Sequence, residues 1–274
     1  MSKRKKKIIV IIAILLMLCL LSAWGFLMKS STYKIHSKKL PKGLKIVFLS
    51  DLHNCFYGGT DQSQLKDWIE EEDPDILIFG GDVIDQWGGQ KYAKRIMEWA
   101  AERYPTYYTP GNHEQYRNDR TDFYDWVKSS GINFICDDFV DIEIKGQKIR
   151  IYGIIDKNSG GYLDDLKGKL DDKYYNILLA HQPEQIDDYL DTGDVKFDLI
   201  LSGHAHGGQW RIPKLLDQGL YAPDQGIFPK YTCGEYHYGD TVHIISKGLA
   251  KPARMIFIPR IFNRPEFSVI EIGE

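Results

Sequence analysis

Short apolar and β-branched runs recur along the chain, and between them apolar positions return every three or four residues. The runs are Leu44–Leu49, Ile76–Phe79, Tyr107–Thr109, Ile149–Ile155, Ile177–Ala180 and Leu199–Ser202, all short enough for buried strands. Between them Ala93, Ile96, Met97, Ala100 and Ala101 fall at i, i+3, i+4, i+7 and i+8, which lays one apolar face along a helix. Phe123, Trp126 and Val127 repeat that spacing ahead of a stop at Gly131. Pro183 opens a further helix that carries Ile186, Tyr189 and Leu190 and closes at Gly193. Alternating strands and helices predict an α/β domain with helices packed outside the sheets. Beyond Gly207 the helical period is lost, and Thr241–Ser246 and Phe267–Ile272 read as closing strands. No internal repeat interrupts this pattern, so residues 44–274 form one expected domain.

The N-terminus follows a different rule. Ile8–Met28 is a run of 21 residues without a charge. As a helix rising about 1.5 Å per residue it spans roughly 30 Å, the hydrocarbon thickness of a bilayer. A cleaved leader would have a shorter apolar core. Lys3, Arg4, Lys5, Lys6 and Lys7 precede the run, and Lys29 is the nearest charge after it. Positive flanks stay on the cytoplasmic side. The expected order is therefore a basic cytoplasmic tail (1–7), a single transmembrane anchor (8–28), a polar linker (29–43) and an extracytoplasmic domain (44–274). Net charge is −3, but residues 1–28 hold five bases and no acid, so the remainder carries −8. An acidic body lacks the basic face that nucleic-acid binding needs, and no such partner is expected. Four widely scattered cysteines define no disulfide framework.

Polar residues cluster just past the apolar runs. KIVFLS leads into Asp51-Leu52-His53, and DILIFG into Gly81-Asp82-Val83-Ile84-Asp85. TYYTP leads into Gly111-Asn112-His113-Glu114, NILLA into His181, and LILS into Gly203-His204-Ala205-His206-Gly207-Gly208-Gln209. The carboxyl ends of strands are where α/β sheets place their ligands. Five of the eight histidines are used in this way. Chance supplies Asp-x-His about once in such a chain, but Gly-Asn-His-Glu only about once in a thousand. Singly, Asp51 and Asp82 read as helix N-caps and the glycines as turn residues. Five such coincidences in order do not.

This set resembles the calcineurin-like metallophosphoesterase superfamily, whose pattern is Asp-x-His, Gly-Asp, Gly-Asn-His, His and Gly-His-x-His. The resemblance covers about residues 44–274 and implies a four-layer α/β/β/α sandwich. It further implies that Asp51, His53, Asp82 and His206 hold one divalent metal, and Asp82, Asn112, His181 and His204 a second, with Asp82 bridging. Two dications, two carboxylates and a bridging hydroxide leave a net +1, which attracts a phosphate. Mixed oxygen and nitrogen ligation suits Mn, Fe or Zn. By the same resemblance His113 is the general acid, Asp85 orients it, and Asn112 and His113 meet the substrate phosphate. The N-terminal anchor, the Gly-His-Ala-His-Gly-Gly-Gln form and Phe262-Asn263-Arg264-Pro265-Glu266 are similar to a bacterial membrane-anchored phosphodiesterase subgroup, akin to UDP-2,3-diacylglucosamine hydrolases. That implies metal-assisted hydrolysis of a phosphodiester or phosphomonoester, of an envelope or lipid-linked compound. Within that subgroup a shorter glycine-rich turn is expected where Lys247–Pro252 stands. A phosphoprotein phosphatase is the alternative enzyme, but its branch places Arg after the second Asp, where this chain has Gln86. A non-catalytic scaffold is the other alternative, and such relatives lose ligands. Cys55 is expected to be a small packed residue, and His36, His237 and His243 receive no role. Trp210, Tyr221, Phe228 and Tyr231 follow the last motif, with Trp210 and Tyr221 as candidate walls of a substrate groove.

Overall fold

In a computed structural model of the chain, residues 2–24, 27–155, 160–251 and 260–274 are described, without the side chains of 14–16, 18–24, 160 and 161. The expected strands form, and they sort into two six-stranded sheets. The first runs β1 (Lys29–His36), β14 (Glu266–Gly273), β2 (Leu44–Leu49), β3 (Ile76–Gly80), β4 (Thr106–Thr109) and β5 (Asn133–Phe134). The second runs β12 (Gly234–Tyr238), β13 (Thr241–Ile245), β9 (Leu199–Ser202), β8 (Tyr175–Ala180), β7 (Gln147–Ile154) and β6 (Asp138–Ile144). The inner strands β2, β3 and β4 are parallel, as are β7, β8, β9 and β13.

Because side chains alternate along a strand, each inner strand serves two apolar layers. From β2, Ile46 and Phe48 meet Ile151, Ile177, Leu179 and Leu201 of the other sheet. From the same strand Val47 and Leu49 turn outward onto Ile69 of α2 (Ser63–Glu72), Ile96 and Met97 of α3 (Lys91–Ala101) and Phe123 of α5 (Arg120–Ser129). The outer face of the second sheet packs Leu178 and Ile200 on Leu163 and Leu166 of α6 (Gly160–Lys167) and on Ile186 and Tyr189 of α7 (Ile186–Leu190). The order is helix, sheet, sheet, helix, as the resemblance implied. Burial on both faces is why these strands are continuously apolar.

The first forty residues depart from expectation. Lys29–His36, expected as a polar linker, is a strand, and it pairs in parallel with β14 over its whole length. It lies at the sheet edge, where one face stays in water; Ile35 is buried and the polar residues between are exposed. The first sheet therefore recruits residues ahead of position 44. Helix α1 (Lys3–Trp24) begins inside the basic cluster rather than after it. Among the described residues no helix is long and apolar enough to cross a membrane, so the structure does not show the transmembrane helix expected over Ile8–Met28.

Candidate metal centre

Every motif residue lies just past the carboxyl end of a strand, all on the same rim. Asp51 and His53 follow β2, Asp82 and Asp85 follow β3, and Asn112 and His113 open α4 (Asn112–Gln115) after β4. His181 follows β8, and His204 and His206 follow β9. Parallel pairing of β2, β3 and β4, and of β8 with β9, makes these ends neighbours within each sheet. Between the sheets, His181 Nδ1 is 2.8 Å from the Gly80 carbonyl at the end of β3. Asp51, His53, Asp82, His204 and His206 all have positive φ, between 47° and 67°. Each such non-glycine residue costs about 1 kcal/mol or more, a cost the surrounding packing sustains.

The seven residues expected as metal ligands are all buried. Asp51, His53 and His206 bring ligand atoms within 4.8 Å of one another, and so do Asp82, His181 and His204. The two clusters touch. His181 Nε2 is 3.1 Å from Asp82 Oδ2 and 3.8 Å from Asp51 Oδ1. His53 Nε2 is 3.8 Å from Asp82 Oδ2.

Each aspartate spends one oxygen on the backbone and keeps the other. Asp51 Oδ1 accepts the His204 N–H at 2.9 Å, and Asp82 Oδ1 accepts the His113 N–H at 2.8 Å. Asp51 Oδ2, Asp82 Oδ2, His53 Nε2, His181 Nε2 and Asn112 Oδ1 are buried and, beyond the approach of His181 Nε2 to Asp82 Oδ2 at 3.1 Å, have no hydrogen-bond partner among the described residues. The Gly80 carbonyl can only accept, so His181 carries a proton on Nδ1 and turns Nε2 inward onto Asp82 Oδ2, whose carboxylate raises the ring's pKa to about 10 against the effect of burial. Buried polar atoms without a full partner cost about 1–3 kcal/mol each. Divalent transition metals satisfy such a mixed oxygen and nitrogen donor set, and no thiolate enters it among the described residues, since buried Cys55 belongs to none of the clusters.

His113 stands beside these clusters. Its Nδ1 lies 2.9 Å from Asp85 Oδ1, and its Nε2 is 3.9 Å from Asp82 Oδ2. Burial alone would lower its pKa, but the Asp82 and Asp85 carboxylates outweigh that and raise it to about 9. Burial holds His53 down to about 4. Arg117 bonds the Asp85 and Gly88 carbonyls and the Asp119 carboxylate, which steadies the loop that carries Asp85. A cleft of about 290 Å³ opens above the centre, lined by His53, Asp85, Trp87, His113, His206, Pro223 and Ala250. Among the described residues, Trp210 and Tyr221 do not line it. Tyr221 is paired with Ile227 in the hairpin of β10 (Tyr221–Ala222) and β11 (Gly226–Ile227), and it is Pro223 at the turn that reaches the cleft. Tyr231 is buried and Phe228 exposed away from the cleft lining. The aromatic wall is Trp87, which is 76% exposed.

Three further residues hold the centre together. Glu114, fully buried, accepts N–H bonds from Asp82, Ile84 and Gly111. Asn263 donates to the His206 and Gln209 carbonyls, which gives the closing Phe262–Glu266 motif its task at the site. Gly248, at φ 70°, lies where a Cβ would come within 2.5 Å of the Asp51 Cβ, so this position admits only glycine without a shift. Glu114 was visible as the fourth residue of Gly-Asn-His-Glu, but backbone donors leave no mark in a sequence.

Residues 44–208 match the family of calcineurin-like phosphoesterases. An uncharacterized metallophosphoesterase of Aquifex aeolicus is 30% identical over 257 residues, covering 86% of this chain and 90% of that protein. The uncharacterized metallophosphoesterase YkuE of Bacillus subtilis is 27% identical over 258 residues, covering 90% and 86%. A Helicobacter pylori metallophosphoesterase is 31% identical over 189 residues, which is 64% of this chain but 48% of that protein. The NAD nucleotidase NadN of Haemophilus influenzae superposes with a TM-score of 0.50 at 15% identity, over 76% of this chain and 45% of that one, and shares the fold.

Proposed function

We propose that this chain, which belongs to the calcineurin-like phosphoesterase family, hydrolyses a phosphodiester at a dinuclear centre assembled on the strand-end rim. It is a metal-dependent phosphoesterase. Asp51, His53 and His206 would hold one divalent ion, Asn112, His181 and His204 the other, and Asp82 both. Bound there, the pair supplies Lewis-acid activation of water and neutralises charge on the phosphoryl group. The observation that carries this reading is the meeting of two buried clusters at Asp82, with inward atoms that no described residue outside the clusters hydrogen-bonds.

The remaining roles follow from where protons sit. Asp85, on Nδ1, orients the His113 ring, so Nε2 points towards the Asp82 side of the cleft. His113 therefore holds its proton at the atom closest to a departing alkoxide and acts as general acid. Trp87 and Pro223, both in the cleft lining, offer an apolar surface to the substrate's leaving part. The apolar side chains Ile8, Ile9, Val10, Ile11, Ile12 and Met17 of α1 are exposed, and basic residues precede them. Their exposure supports a membrane location and an amphiphilic substrate of the envelope or lipid-linked kind.

The test uses the full chain in detergent with Mn²⁺. It should cleave bis(p-nitrophenyl) phosphate. His113→Ala should lose about 10²–10⁴-fold in rate on an alkyl phosphodiester, and less on the p-nitrophenyl ester, whose leaving group needs no proton. Equal losses on both esters would remove His113 from the acid role. Detergent-dispersed lipid phosphodiesters that react no faster than soluble ones would remove the amphiphilic substrate.

A further inference from the structure

Two carboxylates from outside the five motifs, Glu184 and Asp224, group with His204 within 4.8 Å, and Asp224 is the one that bonds it. Asp224 lies in the turn of the β10–β11 hairpin, beyond residue 208 where the family match ends. Its Oδ2 stands 2.9 Å from His204 Nε2. The same oxygen accepts a hydrogen bond from Gln182 Nε2 at 3.2 Å, one residue past His181. Asp224 adopts φ 57°, a left-handed conformation that aims its side chain back across the turn at a cost near 1 kcal/mol. The hairpin is anchored from behind, because Gln225 Oε1 accepts the N–H groups of Lys230 and Tyr231, and Gln225 Nε2 donates to the Tyr231 carbonyl. Pro223, beside Asp224 in the turn, lines the same cleft as Trp87.

We infer that Asp224 is the positioning residue for His204: it holds the proton on Nε2, turns Nδ1 towards Asp82 and His181, and ties the cleft-lining hairpin to one half of the centre. The chemistry follows from the bond. An ionised carboxylate only accepts, so His204 must carry hydrogen on Nε2, and its remaining lone pair is on Nδ1. That nitrogen belongs to the ring already grouped with Asp82 and His181 within 4.8 Å. Histidine ligands ordinarily donate their second nitrogen to a carboxylate or carbonyl, and loss of such a partner costs about 10–100-fold in metal affinity. His181 uses the Gly80 carbonyl for this purpose and His204 uses Asp224, so the two histidines of one cluster are oriented by different parts of the chain.

This inference rests on the proposed role of His204 as a ligand, and the experiment separates the two. Mn²⁺ binding to the metal-free full chain is measured by calorimetry, with electron paramagnetic resonance to resolve the two positions. His204→Ala should remove one of two binding events; if both survive, the ligand assignment fails. Asp224→Ala should weaken the same event about 10–100-fold and leave the other unchanged, and Asp224→Asn, which retains an acceptor oxygen, should fall between Ala and the parent. In ¹⁵N-histidine-labelled protein the Nε2-bound proton of His204, assigned by its absence in His204→Ala, should be lost from the spectrum in Asp224→Ala. Because the Asp224 side chain is 46% exposed, its removal leaves the core intact. If His204→Ala loses a site while Asp224→Ala leaves both events at parental affinity, or weakens both equally, the positioning role is refuted.

Discussion

Removal of the Glu114 carboxylate should damage the protein more than removal of any ligand. Glu114 Oε2 accepts the Asp82 and Gly111 N–H groups at 2.9 Å each, and Oε1 accepts that of Ile84 at 3.0 Å. These donors come from the loops after β3 and β4, so one side chain joins the loop of Asp82 to that of Asn112. Burial together with the nearby Asp82 pushes its pKa up to about 7 against the pull of those N–H bonds. In Glu114→Ala three buried donors lose their acceptor, at about 1–3 kcal/mol each. The expected loss is about 4 kcal/mol of a total that is typically 5–15 kcal/mol. Glu114→Gln keeps the shape but sets an amide N–H against at least one backbone donor, so about 2 kcal/mol should go. Urea unfolding of the metal-free chain reads both values, and Mn²⁺ titration reads the displacement of Asp82. If Glu114→Gln unfolds within about 0.5 kcal/mol of the parent and binds Mn²⁺ with unchanged affinity, the carboxylate does not hold the two loops.

A Cβ at Gly203 would lie 2.4 Å from Asp51 Oδ2 and 2.7 Å from Ser50 Oγ. Gly203→Ala should therefore lower metal content by about one equivalent while far-ultraviolet circular dichroism stays parental; full metal content would contradict the close approach. His243 is fully buried against Ser202 Oγ, and burial holds its pKa down to about 3 from 6.5. The unfolded chain thus takes up a proton that the folded chain refuses between those values, so stability present above pH 6.5 is lost as pH falls. At pH 5 this amounts to about 2 kcal/mol. His243→Gln should show a correspondingly flatter fall in urea midpoint between pH 7 and pH 5, and an identical fall would exclude His243 as its source. Leu179, buried between the sheets, should cost about 2–5 kcal/mol as Leu179→Ala in the same assay; a loss below 1 kcal/mol would mean that the inter-sheet layer collapses to fill the gap.

The centre was legible because each ligand sits where an apolar strand stops, and strands buried on both faces announce themselves as unbroken apolar runs. The helix face of Ala93, Ile96, Met97 and Ala100 appears in α3 at the expected positions. Elements at the margin were not legible. β1 and β6 lie at sheet edges with half their residues in water, so their composition is that of a loop. α2 buries only Leu65 and Ile69, too few positions for a period to emerge. The two-residue strands β10 and β11 are held by backbone bonds and by Gln225 rather than by any apolar pattern. For the same reason the cleft wall was sought at Trp210 and Tyr221, whereas the fold presents Trp87 and Pro223. Glu114 and Asn263 stood inside legible motifs, but their bonds run mainly to distant backbone groups, and Asp224 meets a ring nitrogen 20 residues away, contacts of which spacing carries no trace.

The measurement that bears most directly on the dinuclear centre is metal content by elemental analysis, after the purified chain is stripped with chelator and re-equilibrated separately with Mn²⁺, Fe²⁺ and Zn²⁺. Two ions per chain should be retained with at least one of these metals, about one in His53→Ala, and fewer than one in Asp82→Asn, where the shared carboxylate is lost. A parent chain that retains none of the three, or an Asp82→Asn variant that keeps a full pair, would contradict the reading of Asp82 as the meeting point of two metal sites.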